Sequence, residues 1–242
     1  MTTHQPRLDP VTPFKYVSGD PALDFINTVD WTERGLEKDR FANYDRLLEW
    51  AEGARALTLA ELAGLRRSVA RDGYRAEQVV RDAVALRELL ERTFSRLVRG
   101  KRIDEEVAEL NRRWLGRALS EMALAECETE RDARGGRAAR GSARSAAATA
   151  PPGLGFVLGW PAAAQALESP LWSVAWSAAR LLASDEAARI RRCAGIDCGW
   201  FYVDRSRNGL RRWCQMETCG TIMKTRRRAE RNARAGKPAI ES

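Results

Sequence analysis

Histidine is nearly absent from this sequence. His4 is the only one, in an arm punctuated by Pro6, Pro10 and Pro13, where a solvated tail residue is expected rather than a ligand. No nucleophile with a partner base, no Gly-rich phosphate loop and no metal site with an open position can be found, so an enzyme is not expected. No run of eighteen apolar residues occurs, which excludes a spanning helix. The opening MTTHQPRLDP lacks the apolar stretch of an export signal, and the expectation is a cytoplasmic protein. Lysine is scarce beside arginine, but base composition of the genome produces the same bias. The placement of charge is more informative than its type.

What is present starts with 242 residues, 44% hydrophobic, enough for one large or two smaller domains with a real core. Residues 191–242 carry 13 basic and 5 acidic residues, leaving 28 of each sign in residues 1–190. The whole formal charge of +8 therefore lies in the last fifth of the chain, the footprint of a module that meets a polyanion. Four of the five cysteines fall in the same stretch: Cys193-x4-Cys198, then Cys214-x4-Cys219. Two close pairs with a hairpin-length spacer are what a tetrahedral Zn(Cys)4 site requires, since each pair supplies two thiolates from one tight turn. The alternative, two local disulfides, needs an oxidising compartment that nothing here points to. Four thiolates leave no position for water, so the expected Zn2+, one per chain, is structural.

The part before this module reads as a mainly α (α+β) domain with a few short strands, spanning residues 1–187. Its first eighteen residues form an extended arm that becomes ordered toward Phe14, Tyr16 and Val17. In residues 21–31, Leu23, Phe25, Ile26 and Val29 suit a core. Asp24 and Asn27 are expected to cap backbone, or, on a sharper reading, to line a ligand pocket. Helices are expected over 44–54, capped by Asn43; from Thr58, whose capping box closes on Glu61; over 76–98; and from Asp104 to about Gly116. Residues 117–130 fit strand or helix equally, and Cys127 within them suits a small buried hydrophobe. Residues 131–153 lack bulky apolar side chains and predict a mobile loop. A short strand at 156–158 precedes a helix over 170–183, apolar nearly all round, which should be the spine of the domain. Its Trp172 and Trp176, four apart, suit core packing, with a pocket wall as the alternative.

From residue 188 to 236 the pattern changes. Cys193 to Cys198 makes a tight turn in which Gly195 relieves the backbone. Trp200 to Val203 has strand chemistry, Asn208-Gly209 is a turn signal, and Leu210 to Trp213 returns, predicting a hairpin between the cysteine pairs. A helix from about Thr218 to Ala235 follows, with Cys219 in its first turn. Knuckle, hairpin and helix together make a treble-clef-like finger. On that helix Lys224, Arg227, Arg228, Arg231 and Arg234 share an arc of about 120° at the helical step of roughly 100° per residue. Cys219, Ile222, Ala229 and Ala233 point the other way, toward the zinc and hairpin. Such a ridge suits phosphates or a major groove, and Arg205, Arg207, Arg211 and Arg212 on the hairpin reinforce it. Residues 237–242 are a tail.

The series Cys193, Cys198, Trp200, Asp204, Ser206, Asn208, Arg211-Arg212-Trp213-Cys214, Met216 and Cys219-Gly220 resembles the CGNR zinc-finger family of bacterial proteins. Leu23-Asp-Phe-Ile-Asn27-Thr28, the Leu47-x-x-Trp50 helix and the Pro170 to Leu182 helix are similar to landmarks of the ABATE domain that precedes that finger. The resemblance implies a stress-induced transcription regulator. The leading expectation is a regulator that binds double-stranded DNA and has a sensing or dimerising N-terminal domain, with room for a small-molecule effector and, if it reads half-sites, a homodimer. The family's Cys-Gly-Asn-Arg is replaced here by Cys219-Gly220-Thr221-Ile222, so any contact made by that Asn-Arg pair is absent. An adaptor whose finger binds an acidic protein is the reading of a different class.

Overall fold

The computed structural model describes residues 7–32, 35–127 and 155–235. Helices dominate. The short α1 (Pro21–Ile26), capped by Asp20, is followed by strands β2 (Val29–Thr32) and β3 (Gly35–Asp39), which pair antiparallel. The N-terminal arm is ordered earlier than expected, because β1 (Arg7–Leu8) adds to β3 in parallel and the Tyr16 hydroxyl donates to the Trp50 carbonyl at 3.1 Å. Then come α2 (Tyr44–Gly53), α3 (Leu59–Val69) and α4 (Gly73–Val98). Asn43 Oδ1 accepts from Arg46 N, and the Thr58–Glu61 capping box is complete, so both starts follow the cap chemistry legible in the sequence.

Helix α5 (Asp104–Leu110) does not stop near Gly116. A π turn over Asn111–Leu115 leads directly into α6 (Gly116–Ser120). The ambiguous stretch resolves as strand β4 (Ala123–Cys127), antiparallel to β5 (Gly155–Gly159); the side chain of Cys127 and the loop expected over 131–153 lie outside the described residues. Helix α7 (Ser169–Leu182) touches α1, α2, α4 and α6, and it is the spine the sequence promised.

The core around α7 is aromatic at one end, where Phe25 meets Trp50 edge-on at 4.9 Å and Phe41 lies against both. One ion pair is buried in it. Arg87 reaches both carboxylate oxygens of Asp39 and the Thr28 hydroxyl, so this charge is fully hydrogen-bonded where an unpaired one would be severely destabilising. After a 3-10 turn (Asp185–Arg189), β6 (Ile190–Arg192) pairs antiparallel with β7 (Phe201–Val203), and the last described element is helix α8 (Thr221–Ala235). Ile190, Phe201 and Val203 are part of the main core. The break expected between residues 187 and 188 is thus not a break in packing, because the first strands of the finger complete the apolar centre of the preceding domain. The fold is mainly helical with a few short strands, followed by a cysteine-held finger.

Candidate metal centre and nucleic-acid interface

The finger hairpin differs from the expected one. β6 and β7 enclose the first cysteine pair, which sits at the hairpin tip, and Leu210 to Trp213 forms no strand. The cause lies in the free edge of β7. The N–H of Phe201 donates to Asn27 Oδ1 at 2.9 Å and that of Val203 donates to the Ser18 carbonyl at 2.8 Å, so no edge remains for a returning strand. Residues 204–211 instead wrap around the buried Asp204, whose carboxylate accepts from Ser206 N, Ser206 Oγ and Arg211 N. The Asn208-Gly209 turn forms, with Gly209 at φ +64.

Around the tip the four thiols converge. Cys193, Cys198, Cys214 and Cys219 are free, and their Sγ atoms all lie within 4.8 Å of one another. The Cys198–Cys214 separation is 3.8 Å and the Cys214–Cys219 separation 3.7 Å. A tetrahedron with Zn–S bonds of ~2.3 Å has edges of ~3.8 Å, so the donor set fits the ion. The backbone N–H groups of Gly195 and Cys214 point at Cys193 Sγ at 3.3 and 3.2 Å, as they would to a thiolate. The neighbouring Cys198 and Cys214 thiols, followed by those two N–H groups, hold Cys193 far below the usual thiol range. Their hydrogen bonds with Cys193 in turn push Cys198 up to about 12 and Cys214 up as well. Thiols this close ionise together only around a cation.

Gly195 serves space rather than backbone freedom. A Cβ there would come within 3.0 Å of Cys219 Cβ and 3.1 Å of its Sγ, while the left-handed residue of the knuckle is Asp197, at φ 53. Cys219 lies in a π turn (Met216–Gly220) that precedes α8 rather than in the helix itself.

The structure divides the expected basic residues into two groups. Arg205 is bound to Glu186 and donates to the Gly19 carbonyl, and Arg211 stacks on Tyr202 at 4.3 Å while donating to the carbonyls of Val17, Trp213 and Cys214. Both make contacts that fasten the finger to the rest of the chain. Arg212 lies over Trp213 at 5.7 Å, and both Arg212 and Arg207 are exposed. On α8, Lys224, Arg227, Arg228 and Arg231 are exposed, and among the described residues none forms an ion pair; the side chain of Arg234 lies outside them. The expected inner face of α8 is not covered, since Ile222 is 59% exposed and Ala229 is exposed too; Ala233 lies outside the described side chains. The helix stands clear of the body because Phe201 and Val203 fill the core and leave no apolar surface against which alanines could pack. Thr221, in place of the family Asn, turns its hydroxyl to the Met216 carbonyl at 3.1 Å.

Of the residues considered for a pocket, Asp24 and Asn27 bond to backbone groups. Asp24 Oδ1 accepts from Ser18 N at 3.0 Å, and Asn27 is committed to Phe201. Trp172 does wall a cavity, whereas Trp176 is half-buried and outside its lining. The remaining lining residues include Arg113 and Arg117, four apart on one continuous helical run, and Arg75 from α4, which no local spacing relates to them.

Four thiols gathered at a hairpin tip, followed by a projecting basic helix and preceded by a helical domain, define a zinc-finger protein with an N-terminal companion domain. Comparison with family models agrees. Residues 189–232 match the CGNR zinc finger, and residues 19–185 match ABATE, described as "Putative stress-induced transcription regulator". The chain belongs to the ABATE family and carries the CGNR finger, whose four cysteines hold one structural zinc. No curated protein matches the chain. No helix among the described residues is long and apolar enough to cross a membrane.

Proposed function

We propose that this protein is a cytoplasmic transcription regulator, with no enzymatic role, that binds duplex DNA through the basic face of α8. The observation that carries the reading is the state of that helix: four cationic side chains on one side of a solvent-projecting element, none of them in an ion pair among the described residues. A helix about 10–12 Å across fits a B-DNA major groove about 12 Å wide, and its free cations neutralise the flanking phosphates. The zinc and the β6–β7 hairpin fix the root of α8, while the shared core makes the helical domain and the finger move as one, so a signal received by the former reaches the latter through rigid contacts. Selection of bound sequences from random duplex DNA by the zinc-loaded protein tests the reading. Enrichment of a common motif, with affinity falling as salt rises, is the expected result. An acidic protein partner is the second reading, favoured by the same free cations; absence of affinity for any duplex at low salt would select it.

A further inference from the structure

Away from the zinc, α4, the 111–117 segment and the start of α7 enclose a cavity of about 150 Å³. Its floor is apolar: Leu171, Trp114 and Trp172 are 2%, 8% and 3% exposed. Its rim is charged, and the charges do not balance. Arg75 is paired with Glu168, and Arg113 with Asp82 at 3.5 Å while its guanidinium lies over the Trp114 ring at 4.8 Å. The guanidinium of Arg117, exposed at the same rim, has no hydrogen-bond or ion-pair partner among the described residues. The indole N–H groups of Trp114 and Trp172 are buried without acceptors, a defect that native cores rarely contain.

Two features show that this arrangement is built in. Trp114 and Arg113 belong to the π turn, a device frequent at functional sites, and Gly116 N–H closes that turn on the Asn111 carbonyl. A Cβ at Gly116 would lie 3.0 Å from that oxygen, so the glycine admits the extra residue in the turn. A cavity of this size accepts a single six-membered ring. With one uncommitted positive charge above an apolar floor, a singly charged ligand is matched and a dianion would be left half-compensated.

We propose that this cavity binds a small organic monoanion, a carboxylate carried on one ring-sized apolar body, with the carboxylate on Arg117 and the ring against Trp114 and Trp172. The site lies in the domain to which no ligand has been assigned above. Binding stands on the cavity alone, and only its use as a signal rests on the regulator reading.

Calorimetric titration of benzoate and cyclohexanecarboxylate into the full zinc-loaded chain, without DNA, is the test. Saturable binding at one site is expected, with benzamide weaker by about tenfold or more, the usual worth of a charge-assisted hydrogen bond. Arg117→Gln, at an exposed position that does not threaten the fold, should remove that preference for the acid. Arg112→Gln, one residue before Arg113 and outside the lining, should keep it. No saturable binding of either acid, equal binding of benzamide, or equal losses in the two variants would each overturn the proposal. Because DNA is absent, failure of DNA binding leaves this result untouched.

Discussion

The side-chain amide of Asn27 stands in for a strand at the edge of β7: its Nδ2 donates to the Phe201 carbonyl at 2.8 Å, and its Oδ1 accepts from Phe201 N–H at 2.9 Å. One residue of α1's C-terminus thereby satisfies both backbone groups of a residue 174 positions later. Trp200 Nε1 adds a third link by donating to the Val29 carbonyl at 2.8 Å.

Asn27→Ala strands two buried backbone groups. The expected loss is about 2–6 kcal/mol, at roughly 1–3 for each unsatisfied group. Because Phe201 belongs to the main core, the loss should appear as a lower midpoint of one shared unfolding transition, measured by denaturant titration followed by circular dichroism. A wild-type midpoint would show that the amide pair is unimportant.

Removal of zinc should have a bounded effect. β6 and β7 are held by Ile190, Phe201 and Val203 in the core and by Asn27 at the edge, so they should stay seated without metal. Residues 204–235 rest on the small cluster around Cys193, Trp200, Tyr202 and Cys214 and on the Arg205 and Arg211 fastenings, and coordination supplies most of their order. Hydrogen exchange after chelation should therefore show protection kept at 190–192 and 201–203 and lost through α8. Exchange unchanged in α8 would count against a structural metal.

The Asp24 carboxyl predicts a pH dependence. It is 8% exposed, and burial, opposed by the Ser18 hydrogen bonds, raises it from 3.8 to about 7. Folded Asp24 holds its proton to higher pH than the unfolded chain, so folding takes up a proton between those values and this contribution to stability falls as pH rises through them. Asp24→Asn keeps the acceptor for Ser18 N–H and cannot ionise. At pH 8 it should be more stable than wild type by roughly 2–4 kcal/mol, at about 1.4 for each pKa unit, with the advantage shrinking toward pH 4. Equal melting at both pH values would remove the argument.

The elements legible in the sequence were those decided locally. Asn43, Thr58 with Glu61, and the stripes of α4 and α7 declare their helices because cap chemistry and 3.6-residue periodicity act within a few residues. The zinc ligands were legible for the same reason, since each pair lies within one turn. Partner choice was not legible. Residues 200–203 read correctly as a strand, but their partner was settled by Asn27 and Ser18 from the far end of the chain. Arg205 and Arg211 resemble Arg228 in the sequence, and only Glu186, Tyr202 and four carbonyls distinguish a fastening from a free cation.

That distinction makes the DNA prediction sharper than charge counting would. If α8 lies on phosphates, log K should fall with log salt at a slope near −0.9 for each neutralised phosphate, and loss of one contact should reduce the slope by about one. Arg228→Ala and Arg231→Ala are expected to do this and to weaken all sequences alike, with melting unchanged, since both side chains are exposed. Arg205→Ala and Arg211→Ala should do the reverse: they lower the melting temperature, and at a temperature where both variants remain folded they leave the slope nearly unchanged. Ile222→Arg restores one family letter at a position 59% exposed on the first turn of α8. A steeper slope in that variant would show that the position faces the duplex, while an unchanged slope would assign DNA contact to the ridge alone. Equal slopes for wild type, Arg228→Ala and Arg231→Ala, measured by fluorescence anisotropy between low and physiological salt, would remove α8 from the interface.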